Sequence, residues 1–152
     1  MTGAAVACKE ALMTLSRLVP GLLVVALSAC GPRQLVVTMN SDNNSGQTGF
    51  ATITEGAGQF EVVVETSVPE FISSSGQLAH IHEGNCGEIG KIRADLANLK
   101  PLEGKPGSFG STSKIIDTKM KFDDFKTGEW AINAHDERDN LVYVSCGQVP
   151  NL

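Results

Sequence analysis

Aromatic side chains are scarce in this sequence: one Trp, one Tyr and six Phe make up 5% of 152 residues. Beside 16 Gly, that scarcity points to short strands and turns. Positive charge is also in deficit, with 12 Lys and Arg against 17 Asp and Glu, a net charge of −5 and a pI near 5.1. A nucleic-acid binder displaces counterions with a basic surface, so this balance excludes that class. The sequence holds no phosphate-cradling loop, nucleophile motif or internal repeat. No apolar run reaches the ~20 residues that cross a bilayer, and no segment beyond residue 30 keeps a helical period. What is present, 41% hydrophobic and 19% charged residues over a length that suits one domain, is the composition of a folded globular protein.

The beginning of the chain differs from the rest. Leu18 to Ala29 carries no charge and includes the apolar run Leu22-Leu23-Val24-Val25-Ala26-Leu27, with Lys9 and Arg17 before it. A basic segment followed by a short apolar one has the form of a secretory signal, and a buried helix is the other reading. Next comes Leu27-Ser28-Ala29-Cys30-Gly31, which resembles a bacterial lipobox. The resemblance implies a signal peptide over 1–29, lipidation of Cys30 and a short tether over 30–33. The protein would then be exported and lipid-anchored in the bacterial cell envelope, facing the periplasm or the cell surface. Met13 is an alternative start to Met1. Without residues 1–29, ten basic residues face sixteen acidic ones, a net charge of −6. An anionic membrane repels such a domain, so the membrane contact must come from the lipid.

From residue 34 to 152 the pattern is all-β. Leu35–Met39 and Phe50–Thr54 are short and β-branched, separated by the turn Asp42-Asn43-Asn44-Ser45-Gly46. Gln59–Thr66 alternates, with Phe60, Val62 and Val64 on one face and Glu61 and Glu65 on the other, the period of a half-buried strand. Further strands are expected over Leu78–Glu83, Ile92–Leu96, Lys114–Phe122, Trp130–His135 and Leu141–Cys146. Lys100–Ser113, rich in Pro, Gly and Ser, reads as a long loop, and Asp123-Asp124 as a charged turn. About eight antiparallel strands with a turn every eight to twelve residues predict a sandwich or barrel.

Three histidines and two cysteines carry the specific signal. His80 and His82 flank Ile81 in one predicted strand, and His135 lies opposite Trp130 and Ile132 in another. With Ile81 and Ile132 turned to the core, all three imidazoles point outward and are able to meet on one metal, for which copper, zinc, iron and nickel are the suitable ions. Three ordinary surface histidines are the plainer reading. Cys8 falls in the signal and Cys30 at the lipidation site, which leaves Cys86 and Cys146; in an oxidising compartment they are expected to pair. Met39 and Met120 are soft donors but sit among core positions. Glu83 and Asp136 each follow a histidine and are candidates to accept its N–H, or are simply solvated.

Taken together, His80-Ile81-His82-Glu83-Gly84-Asn85-Cys86, His135-Asp136-Glu137 and Cys146-Gly147 resemble the copper/zinc superoxide dismutase superfamily. The nearer likeness is to its small superoxide-dismutase-like, CHRD-type bacterial members, over about Gln34–Val149. The resemblance implies an eight-stranded antiparallel Greek-key β-barrel. It makes His80, His82 and His135 three of the four copper ligands and joins Cys86 to Cys146. Departures from the family pattern are equally informative. No histidine occurs from Gly87 to Met120, so the bridging ligand, the fourth copper imidazole and the zinc site are missing. Three residues before Cys146, where the enzymes place an anion-guiding Arg, stands Tyr143. Arg138 is nearby in sequence, with no geometry to promote it. The expectation is therefore a copper-binding envelope lipoprotein for storage, delivery or buffering, holding copper and not zinc, with dismutase activity weak or absent. A copper-only superoxide dismutase, with superoxide as its small-molecule partner, and a metal-free structural or adhesive module are the alternatives.

Overall fold

Alternating apolar residues that bury one face and solvate the other produce strands, and strands dominate this chain. The structure, a computed structural model, describes residues 31–68, 76–116 and 119–152. The signal-like segment and Cys30 lie outside the described residues. Arg33–Leu152 forms one compact unit. Its strands are β1 (Gln34–Ser41), β2 (Thr48–Gly56), β3 (Gln59–Ser67), β4 (Ala79–Asn85), β5 (Glu88–Asp95), β6 (Lys100–Pro101), β7 (Ser108–Ile115), β8 (Trp130–His135) and β9 (Tyr143–Gln148). All pairings are antiparallel, in the order β5-β4-β8-β9-β1-β2-β3-β7-β6, and the sheet curls into a half-barrel. No helix among the described residues is long and apolar enough to cross a membrane.

The core fills the concave side. Met39, Ile53, Phe60, Val62, Val64, Ile81, Phe125 and Ile132 are fully buried there. Strand β1 serves both halves of the curl: Gln34–Met39 pair with β2, while Asn40 and Ser41 pair with β9. Gly147 permits the crossing, because a Cβ at that position would lie 2.6 Å from Val37 Cγ1 and 2.7 Å from Met39 Sδ. Ahead of β1, Arg33 is fastened by three groups. Its guanidinium donates to both Glu55 carboxylate oxygens and to Asp123, and it stacks 5.1 Å above the Phe122 ring.

Two expectations fail between residues 100 and 122. The supposed loop Lys100–Ser113 contains β6 and most of β7, and β7 pairs with β3 from Ser67↔Ser108 to Phe60↔Ile115. Alternation is hard to see there because Ser and Gly occupy half of the β7 positions, and two of the four residues in the inward phase, Ser111 and Ser113 beside Phe109 and Ile115, are polar. The neighbouring β3 ladder supplies what intrinsic preference lacks. The supposed strand Lys114–Phe122 ends at Ile115, and a 3₁₀ turn over Phe122–Lys126 follows. That turn plugs one end of the core with Phe122 and Phe125. Trp130 holds it by donating its indole N–H to the carbonyls of Asp124 (3.0 Å) and Thr127 (2.9 Å). Met120, expected in a strand, lies outside one but is buried in the core, as is Met39.

The β4–β5 hairpin bends. Cys146 pairs with Asn133, and Asn133 pairs with His80, so two strand spacings, about 10 Å, separate His80 from Cys146. Cys86 lies six residues past His80, about 20 Å along a straight strand. Yet Cys86 and Cys146 are bonded, with their Cα atoms 5.8 Å apart. The hairpin tip must therefore fold back over the convex face of the sheet. Register shifts on both sides of His82 and a φ of +93° at Gly84 supply the bend, and the Asn85 side chain, accepting from the N–H groups of Gly87 and Glu88, rounds the tip. The disulfide closes a span of 60 residues, which restricts the unfolded chain by roughly 4 kcal/mol. A Cys86→Ser/Cys146→Ser double variant is expected to lose stability on that scale, read as a lower urea midpoint. An unchanged midpoint would contradict the anchoring role.

Candidate metal centre

Strand alternation places the site. In β4, Ala79 and Ile81 face the core and His80 and His82 face the other way; in β8, Ile132 and Ala134 face the core and Asn133 and His135 the other way. The register His80↔Asn133 and Ile81↔Ile132 brings the two strands side by side in the same phase. The histidines thus lie on the face that alternation predicts, but not on the surface. His80 is 9% exposed, His82 3% and His135 6%. The folded-back hairpin covers them from one side. Tyr143, opposite His135 in β9, covers them from another, with its ring 4.9 Å from that of His135 and 6.3 Å from that of His82. Nothing in a two-residue alternation forecasts a hairpin that turns back over its own sheet.

One nitrogen from each imidazole lies within 4.8 Å of the other two. The partners of the remaining nitrogens decide which ones these are. His82 Nδ1 lies 3.0 Å from the Gly90 carbonyl, and His135 Nδ1 contacts the Asn140 carbonyl. A carbonyl only accepts, so both Nδ1 atoms carry a proton, and in the neutral ring the lone pair is then on Nε2. His82 Nε2 is buried with no hydrogen-bond partner. His135 Nε2 lies 2.9 Å from His80 Nδ1, while His80 Nε2 stands 3.5 Å from the Asp95 carboxylate. Without a metal, His80 can satisfy one of these contacts by donating its single proton, but not both. If the proton faces Asp95, three lone pairs point at one another, an arrangement that a cation between them relieves. Such a set could hold a metal ion: two of the rings have their second nitrogen held by a carbonyl, and the third has the Asp95 carboxylate 3.5 Å away.

Burial also keeps the site ready. Loss of solvent holds His80 below the ordinary imidazole range, and the neighbouring His135 adds to the effect against the opposing pull of Asp95. Loss of solvent likewise lowers His135, against the opposing carbonyl of Asn140. Both are therefore neutral at pH 7, the form in which imidazole binds metals.

Other candidates fall elsewhere. Glu83 pairs with Arg93 at 2.9 Å and Asp136 with Arg138 at 2.8 Å, so the groups that hold the imidazoles are instead Gly90, Asn140 and Asp95. Two of these are backbone carbonyls, which no residue type announces. Arg138 is engaged by Asp136. Asp123 lies in the 3₁₀ turn and pairs with Arg33 and Lys126. The Cys86–Cys146 bond forms as expected. No family model matches the chain, and no curated protein matches it. Fold and site together define an all-β domain whose three buried histidines are close enough to hold a metal ion.

The titration has a sign. His80 and His135 have folded pKa values below the unfolded imidazole value of about 6.5. Below that pH the unfolded chain binds protons that the fold refuses. Their stabilising contribution is present above about pH 6.5 and is lost as pH falls, by up to about 1.4 kcal/mol per pH unit for each group. Urea unfolding of the metal-free protein at pH 7.5, 6.5 and 5.5 is expected to show this decline. The slope should flatten in a His80→Gln/His135→Gln variant; the same slope in both proteins would assign it to other groups.

Proposed function

We propose that this chain is an exported, lipid-anchored domain of the superoxide-dismutase-like type. It binds copper through His80, His82 and His135, and serves storage, delivery or buffering of the ion. One observation carries the metal reading: buried imidazole nitrogens face one another, and carbonyl acceptors set two of their tautomers. The orphaned His82 Nε2 fits an absent cation, because a buried nitrogen without a partner is costly. Copper is favoured over zinc because copper(II) stands highest among first-row divalent ions for nitrogen donors. The ion would supply one-electron redox chemistry when bound, and the chain's part is to hold three imidazoles in place and keep water away from them.

The strand order supports the Greek-key barrel reading. The path β1-β2-β3 continues sideways to β7, while β4 and β5 lie beyond β8 and β9 on the opposite flank of β1. Against efficient dismutation stand Tyr143 at the guiding position, the pairing of Arg138 with Asp136, and a net charge of −6 after residue 29, which repels an anionic substrate. The Cys30 anchor rests on the sequence pattern alone.

Copper(II) titration followed by EPR tests the reading. One copper per chain with three-nitrogen hyperfine structure is expected, and His135→Ala should remove one nitrogen and weaken binding at least tenfold. No binding at micromolar copper with the disulfide intact would sink it. A superoxide assay of the copper-loaded protein should show little activity; turnover near the diffusion limit would favour the copper-only dismutase instead. For the anchor, Cys30→Ser should move the protein from the membrane to the soluble fraction, and retention at the membrane would remove the lipid from the account.

A further inference from the structure

Asn133 is the most anomalous side chain in the described residues. It is 0% exposed, and neither Oδ1 nor Nδ2 has a hydrogen-bond partner. A buried carboxamide offers two acceptor and two donor sites, and leaving all of them empty costs several kcal/mol in principle, so such groups signal a missing partner.

Its place in the register shows where that partner belongs. Asn133 sits directly across from His80, two residues before His135 on the same strand face, and diagonally from His82, which pairs with Ala131. Directly opposed side chains have their Cβ atoms about 5 Å apart, and diagonal ones remain within reach of long side chains. Asn133 therefore shares one sheet face with all three imidazoles and is a direct or diagonal neighbour of each. On its other side lies Cys146, its β9 neighbour, bonded to the hairpin that closes the site. The second orphan on this face, His82 Nε2, belongs to the same cluster. Two unpartnered polar groups at neighbouring positions of one face would both be satisfied by one cation.

The geometry points to Asn133 as the fourth protein donor of the metal centre, through its amide oxygen Oδ1. This rests on the copper reading given above and extends it: a chain without a fourth imidazole completes its ligand set with a neutral oxygen. Amide oxygens serve as weak ligands beside nitrogen donors on copper. A neutral oxygen adds no charge, so three imidazoles and one amide leave the full charge of the ion inside a buried site. That places a burden on the acceptors behind the rings, Asp95 above all, the carboxylate nearest a ligand ring.

The test uses copper(II) EPR on the whole protein and on Asn133→Leu, which keeps the side chain's volume, with Asn133→Asp as the variant that keeps an oxygen. In Asn133→Leu the three-nitrogen hyperfine pattern should persist while g∥ and A∥ shift, and the copper dissociation constant should rise about tenfold. Asn133→Asp should restore affinity. In the unaltered protein, loading with copper(I) as a diamagnetic probe should move the Asn133 side-chain carboxamide resonances more than those of any other Asn. A merely structural Asn would leave both the spectrum and the resonances unmoved, and that result overturns the assignment. If Asn133→Leu fails to fold, the copper(I) shift and the Asn133→Asp spectrum decide. The two readings fail differently: absence of any three-nitrogen copper signal in the unaltered protein removes the metal centre itself, whereas an intact signal that ignores Asn133 removes only the fourth donor.

Discussion

One covalent bond decides which side of the sheet water reaches. The concave side is dry because apolar residues pack there, as in any small β domain. The convex side is dry over the histidines because Cys86 is tied to Cys146 and draws the β4–β5 hairpin back over its own strand. Burial of the imidazoles, the carbonyl of Gly90 on His82 and the enclosure of Asn133 all depend on that fold-back. The bond thus shapes the native surface as well as restricting the unfolded chain.

The polar chemistry of the site is economical in charge. The acidic side chain beside the three rings is that of Asp95, and it is 84% exposed. The other contacts are carbonyls, a phenol ring and an amide. Backbone carbonyls are suited to the work because they accept without titrating, so the tautomers of His82 and His135 do not change with the protonation of a neighbour. A carboxylate such as Glu83 or Asp136 would have coupled the site to pH, and both are instead engaged by arginines on the surface.

What the sequence made legible follows from how local each signal is. The β1 and β2 strands could be read from their short β-branched runs and β3 from its alternation, and alternation within β4 and β8 placed His80, His82 and His135 on one face. The pairing of Cys86 with Cys146 followed from counting thiols. β7 was hidden because Ser and Gly give no alternation to read, and its strand state is imposed by β3. The fold-back was hidden because a bulge is a property of two strands together. Gly90 and Asn140 act through their backbone, where side-chain identity carries no message. Asn133 was passed over because an Asn on the face opposite Trp130 and Ile132 reads as an ordinary solvated position; its meaning appears only when its neighbours across the register are known.

Arg33 has a mechanical consequence. It stands at the entry to β1 and is held by Glu55, Asp123 and the Phe122 ring, and its carbonyl accepts from the Glu55 N–H. Tension arriving from the preceding residues meets this fastening first. Beyond it, the load runs along β1 against the whole Gln34–Met39 ladder in shear, where the hydrogen bonds resist together instead of opening one by one. The backbone pairing with β9, the strand that carries Tyr143 and Cys146, begins only past that ladder, at Asn40 and Ser41. Force entering at Arg33 would thus load the β1–β2 ladder before the backbone pairing that leads to the histidine face.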